Sequence, residues 1–141
     1  LDRNLDIKMN TYIFKSAKKN NTIIFHNSSN NSKIKILKNK KILLIKSRLD
    51  NKKRFILNLI FKRLFSLGIR NLLIEGGDKI TRYILIHRLA NQFYLFKSPK
   101  NLLRNKKSVI FTSYSILKKN YKVKSKIITK LAKDNITIYK R

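Results

Sequence analysis

Apolar residues fall into short runs separated by Asn- and Lys-rich punctuation, and the length and period of each run set the element it can form. Thr22-Ile23-Ile24-Phe25 and Lys41-Ile42-Leu43-Leu44-Ile45 are brief apolar runs, which predicts two strands. Between them, residues 27–33 read as a loop, and the Lys/Ile alternation from Lys33 to Lys38 predicts a half-exposed edge strand or an extended loop. Apolar positions at 56, 57, 60, 64 and 67 predict a helix capped by Asp50 or Asn51, with Gly68 as its closing glycine. Asn71-Leu72-Leu73-Ile74 is continuously apolar, as a strand buried on both faces of a parallel sheet would be, and it runs into Glu75-Gly76-Gly77. A second helix is expected from about 78 to 89, with Ile80, Ile84 and Leu85 inward. Gln92 to Phe96 is then a strand closed by Ser98-Pro99. Tyr121 to Ile128 and Asn135 to Tyr139, joined by a Lys133-Asp134-Asn135 turn, read as a terminal hairpin. Strands alternating with helices and ending in strands alone predict an α/β fold with a mixed sheet.

Composition changes this picture in three ways. At 141 residues the chain is the size of one domain, 1–141, and it opens on Leu1 in the middle of what reads as structure, so a fragment is expected. Without cysteine it can hold no disulfide and no thiolate metal site, which fits a reducing cytoplasm. Its longest apolar stretch, residues 55–61, is far short of the roughly 20 residues a membrane helix needs, so no membrane role is expected. The formal charge of +29 points toward nucleic acid, yet the 26 lysines are spread along the whole length beside 21 isoleucines and 16 asparagines. All three have A/T-rich codons, so compositional drift explains the charge without a partner, and no specific nucleic-acid binding is expected.

The candidate chemistry gathers at one place. Glu75 is the only glutamate, and it stands where a buried strand would end. Open α/β sheets bind ligands outside the carboxyl ends of their strands. Two glycines and a helix start follow, where free amides and the positive end of the helix dipole receive phosphate. The spacing serves equally well a turn that merely needs two glycines, with Glu75 as a partner of the dipole.

Gly68-Ile69-Arg70-Asn71-Leu72-Leu73-Ile74-Glu75-Gly76-Gly77, a helix, then Leu89-Ala90-Asn91-Gln92 and Phe93 to Lys100 resemble the reductase domain of the bifunctional RibD family of riboflavin-pathway enzymes. That family reads as a hydrophobic strand, Glu-Gly-Gly, a helix ending in Gly-Leu-Val-Asp-Glu and a strand ending in Ala-Pro-Lys. Leu1-Asp2-Arg3 is similar to its Leu-Asp-Arg segment. The resemblance implies a dihydrofolate-reductase-like mixed sheet flanked by helices, with a C-terminal β-hairpin. It implies NADPH-dependent reduction of 5-amino-6-(5-phosphoribosylamino)uracil to 5-amino-6-(5-phosphoribitylamino)uracil, with hydride passing to C1′ of the opened ribose. Glu75 would then touch this phosphorylated pyrimidine substrate. Gly77, Asp78, Lys79, Ile80, Thr81, Arg82 and Tyr83 would line the NADPH phosphates, and Arg3 would sit beside the cofactor. Arg3 and Arg82 are the candidates for the 2′-phosphate. No single side chain is assigned as catalytic, since the cofactor carries the chemistry and the protein positions it.

Three departures stand out. Ala90-Asn91-Gln92 replaces the family's Val-Asp-Glu and loses its carboxylates. Asp78 places a negative charge where phosphate would approach. The family's zinc deaminase domain and the start of its reductase domain are expected upstream of Leu1, so zinc belongs only to that part and the isolated fragment should be inactive. A homodimer stays open. His26 and His87 have no partner at metal or triad spacing and read as surface or capping histidines. The alternatives are a basic nucleic-acid-binding module and a degenerate, non-catalytic protein of the reductase fold.

Overall fold

The computed structural model describes residues 1–98, 111–128 and 134–141, which form two compact units, Leu1–Leu72 and Leu73–Arg141. Pro99, Lys100 and Lys133, which figured in the expected strand end and turn, lie outside the described residues.

The first unit runs α1 (Tyr12–Ser16), β1 (Ile23–His26), α2 (Asn31–Asn39), β2 (Leu43–Lys46) and α3 (Leu57–Ser66). β1 and β2 pair in parallel from Ile23↔Leu43 to His26↔Lys46. Parallel neighbours need a crossover, and α2 supplies it. Here the expected edge strand at 33–38 is corrected to a helix. Six residues of Lys/Ile alternation also hold Ile34 and Leu37 at helical spacing. The Asn30 side chain accepts the Lys33 amide at 3.0 Å and so starts a helix. Leu37 is then buried with Leu5, Phe14, Ala17, Ile24 and Ile42.

The N-terminal segment is tied to β1. The Asp2 amide donates to the Phe25 carbonyl at 3.0 Å, and the Asn27 amide donates to the Arg3 carbonyl at 2.9 Å. The Asp2 carboxylate accepts the amides of Asp6 and Ile7, each at 2.8 Å. This hook holds Leu5 fully buried at a positive φ of 60°.

α3 begins later than expected. Asp50 does not cap it; its carboxylate closes a turn by accepting the amides of Lys52 and Arg54 and the Arg54 guanidinium. Ile56 is the cap residue, and Leu57 and Ile60 are buried. The C-terminus follows expectation. Gly68 has φ +84°, its amide donates to Phe65 at 3.0 Å, and the Ile69 amide donates to Leu64 at 3.1 Å, the paired bonds of a Schellman cap.

The expected buried strand at 71–74 does not form. These residues take neither helix nor strand, and Leu73 is 80% exposed. A continuous apolar run becomes a buried strand only with ladder partners, and residues 71–74 have none among the described residues.

The second unit contains α4 (Asp78–Ile86), β3 (Gln92–Lys97), α5 (Tyr114–Asn120), β4 (Lys122–Ile128) and β5 (Asn135–Lys140). Its sheet has the order β3-β5-β4 with both pairings antiparallel. The two terminal strands therefore pair as expected, with a bulge between Val123 and Ser125, while their connection lies outside the described residues. Of the residues expected inward on α4, Ile84 and Leu85 are buried and Ile80 is half-buried. Leu85 packs with Leu117, Tyr121 and Tyr139. The helices α1 and α5 were not anticipated.

Gly68 offers a clean test of the α3 cap. A Cβ there would meet nothing within 4 Å, so Gly68→Ala adds only left-handed backbone strain. The expected loss is about 1 kcal/mol, read as a lower urea midpoint with an unchanged slope. An unaltered midpoint would refute the cap.

Candidate functional site

The Glu75-Gly76-Gly77 turn leads into α4, with Gly77 as the N-cap in an extended conformation (φ −74°, ψ 173°). The two glycines differ physically. A Cβ on Gly76 would collide with Cγ2 of Ile80, so the backbone can approach the helix only without a side chain. A Cβ on Gly77 would meet nothing within 4 Å, so a small side chain could be built there without a clash. The first amides of α4 have no intrahelical acceptor by construction, and the helix dipole makes this end attractive to an anion.

Asp78 does not aim an unpaired charge into that space. Its carboxylate accepts the Thr112 hydroxyl at 2.8 Å and the buried Ser113 hydroxyl at 3.3 Å. The objection that Asp78 would repel phosphate is thereby reduced, because the charge is held by two donors just ahead of α5. Lys79 and Arg82 are exposed on α4, Thr81 is half-buried, and Tyr83 packs on the His87 ring with centroids 4.2 Å apart.

Glu75 is exposed. The chain's five aspartates are all engaged. Asp2, Asp50 and Asp78 hold amides or hydroxyls, Asp6 accepts Asn4 at 3.3 Å, and Asp134 also has a partner. Among the described residues Glu75 is the carboxylate left uncommitted.

Arg3 belongs to the first unit. Its guanidinium donates to the Lys53 carbonyl at 2.9 Å and to the Asn4 side chain at 3.3 Å, linking the N-terminal hook to the Asp50–Arg54 turn. The structure thus brings Glu75 and Gly77 to Tyr83 together on one turn and helix, and places Arg3 in the other unit.

His26 corrects a sequence expectation. It is not a surface residue: the ring is 4% exposed at the end of β1, beside Lys46, and Nδ1 has no hydrogen-bond partner. Burial pushes its pKa below the ordinary imidazole value, opposed by a backbone hydrogen bond with Ser28. The signal available in the sequence was its place as the last residue of an apolar strand run.

Among the described residues no group of His, Asp or Glu could hold a metal. No helix among them is long and apolar enough to cross a membrane.

No protein-family profile matches the chain, and neither does any curated protein. Seven solved chains resemble it in structure. One is a pyrimidine reductase-like protein from Corynebacterium diphtheriae, with a TM-score of 0.71 at 15% identity over 98% of this chain. The chain spans 58% of that protein's length. At this identity the likeness establishes a shared fold.

Two predictions follow from the local geometry. Gly76→Ala should cost about 1–3 kcal/mol because Ile80 must give way, whereas Gly77→Ala should cost only about half a kcal/mol. Equal losses in chemical denaturation would contradict the difference in packing. For His26, native and unfolded states are both neutral above about pH 6.5. Below it the unfolded chain takes up a proton that the native ring resists, so stability falls as pH falls. Comparing urea midpoints at pH 7.5 and 5.5, His26→Gln should shrink this acid sensitivity; an identical pH response in parent and variant would refute it.

Proposed function

We propose, taking the reductase-like fold as premise, that this chain is the cofactor-binding part of an NADPH-dependent pyrimidine reductase. The reaction proposed is reduction of 5-amino-6-(5-phosphoribosylamino)uracil to its ribitylamino product. The observation that carries the reading is the Gly76-Gly77 pair. One glycine is required by contact with Ile80, and the next opens onto free space at the start of a nine-residue helix. Such a helix start suits a pyrophosphate, which needs close backbone approach, unpaired amides and no side chain in the way. The amides of Gly77 and Asp78 would hold it, with Lys79 to Tyr83 lining the site and Arg82 as the candidate for the 2′-phosphate. Arg3 enters the reading through the sequence resemblance.

When bound, NADPH supplies the hydride. The chain's own part is positioning. Glu75, uncommitted and exposed, is the group proposed to accept hydrogen bonds from the polar substrate. Asp78 acts through its backbone, since its carboxylate is occupied by Thr112 and Ser113.

The test uses the full-length protein. Gly77→Val puts a branched side chain where the pyrophosphate approaches, so KM for NADPH should rise at least about tenfold with folding intact. Glu75→Gln should lower kcat about tenfold or more with little change in KM for NADPH. Parent-like kinetics in both variants would remove the assignment and leave Glu75 as a charge at the helix terminus.

A further inference from the structure

The second unit also holds a cavity of about 1170 Å³ between its sheet and α5. Its described lining includes Lys97, Lys118, Lys122 and Lys126, which come from β3, α5 and β4, and no carboxylate. Aromatic rings share the lining, among them Phe111, Tyr114 and the buried Tyr139. Random drift toward lysine scatters cations over the outside of a protein. Here four of them converge on one concavity, with no carboxylate among its described lining residues.

Two phenols of the lining are coupled to one another. A side-chain hydrogen bond with Tyr139 holds the Tyr114 phenol below its ordinary pKa, and the charges of Lys118 and Lys97 act in the same direction. Tyr139 is pushed the opposite way, by burial first and then by the same hydrogen bond. The Lys118 ammonium also lies 4.6 Å from the centre of the Tyr114 ring. An anion entering the cavity would relieve repulsion among the lysines, and a planar group could stack on the aromatic lining. The volume exceeds the usual range for a small-molecule pocket, so a ligand of nucleotide size fits.

We propose that this cavity binds a phosphorylated aromatic small molecule of the mononucleotide class, its phosphate on the lysines and its ring against Phe111 and the tyrosines. None of the residues from Glu75 to Tyr83 lines it, so this site is distinct from the helix start at Gly77.

AMP, adenosine and inorganic phosphate serve as probes of the full-length protein in calorimetric titrations, with no turnover involved. AMP is expected to bind at least about tenfold more tightly than either adenosine or phosphate, because only it uses both halves of the cavity. Raising salt should weaken it steeply. The double variant Lys118→Gln/Lys126→Gln alters exposed side chains, so folding should be kept, which circular dichroism checks. It should weaken AMP binding at least about tenfold, while Gly77→Val leaves AMP binding unchanged. The proposal is overturned if AMP does not bind, if the lysine variant binds it like the parent, or if only Gly77→Val weakens it. Adenosine or phosphate binding as tightly as AMP overturns it as well.

Discussion

A carboxylate at the start of a helix can complement the dipole, or it can repel whatever anion the helix would otherwise attract. In the second unit the outcome is set by the hydrogen bonds from Thr112 and Ser113 to Asp78. They draw the carboxylate toward the start of α5, which fixes the start of α4 in turn. Leu85 on α4 can then meet Leu117 on α5, with Tyr121 and Tyr139 completing the cluster. A Cβ on Gly77, just ahead of Asp78, would meet nothing within 4 Å. Packing and the candidate site thus share one polar anchor. Its loss would release a charge at the helix start as well as an element of the core.

The scarcity of acid gives this arrangement its weight. With 35 cationic residues and six acidic ones, the chain has few carboxylates for local structure. Asp2 closes the hook that buries Leu5, and Asp50 organises the turn before α3. The Arg54 guanidinium holds the Asp50 carboxyl below its usual range, although this is an exposed pair from which little stability is expected. Against that background Glu75 is exposed and, among the described residues, holds no hydrogen bond, which leaves the α4 dipole as its structural partner.

Legibility in the sequence followed the number of independent signals at each element. α3 carried a helical apolar period and a closing glycine, and the structure has both, while its start was misplaced because Asp50 is equally good at closing a turn. β1 and β3 were bounded apolar runs with punctuation at both ends. α2 is ambiguous in the sequence because six alternating residues fit two periods, and only the Asn30 cap decides between them. α1 and α5 are five and seven residues long, too short for a period to declare itself. The run at 71–74 failed for another reason. Its pattern describes what a strand would need, but a strand also needs neighbours, which no local pattern encodes. In the site, the glycines and Glu75 were legible as a motif. The partners of Asp78 were not, since Thr112 and Ser113 lie more than thirty residues away in the chain.

A charge of +29 on 141 residues opposes compaction, and an exposed ion pair such as Arg54–Asp50 does little to offset it. The fold must therefore rest on its apolar packing, which among the described residues includes a cluster around Leu5, Leu37 and Ile24 and another around Leu85 and Leu117. Both are small, so each depends on local devices that hold its members in place. These are the Asp2 hook, the Gly68 cap, the Asp78 anchor, and the Asn120 side chain that donates to the Leu85 carbonyl at 3.0 Å. Each is a short-range hydrogen bond or backbone geometry, and short-range terms are little affected by a diffuse positive field. A lysine-rich surface can then vary widely without disturbing the fold. Where lysines instead gather on one concave surface, as around the cavity beside α5, drift alone is a poor account of them.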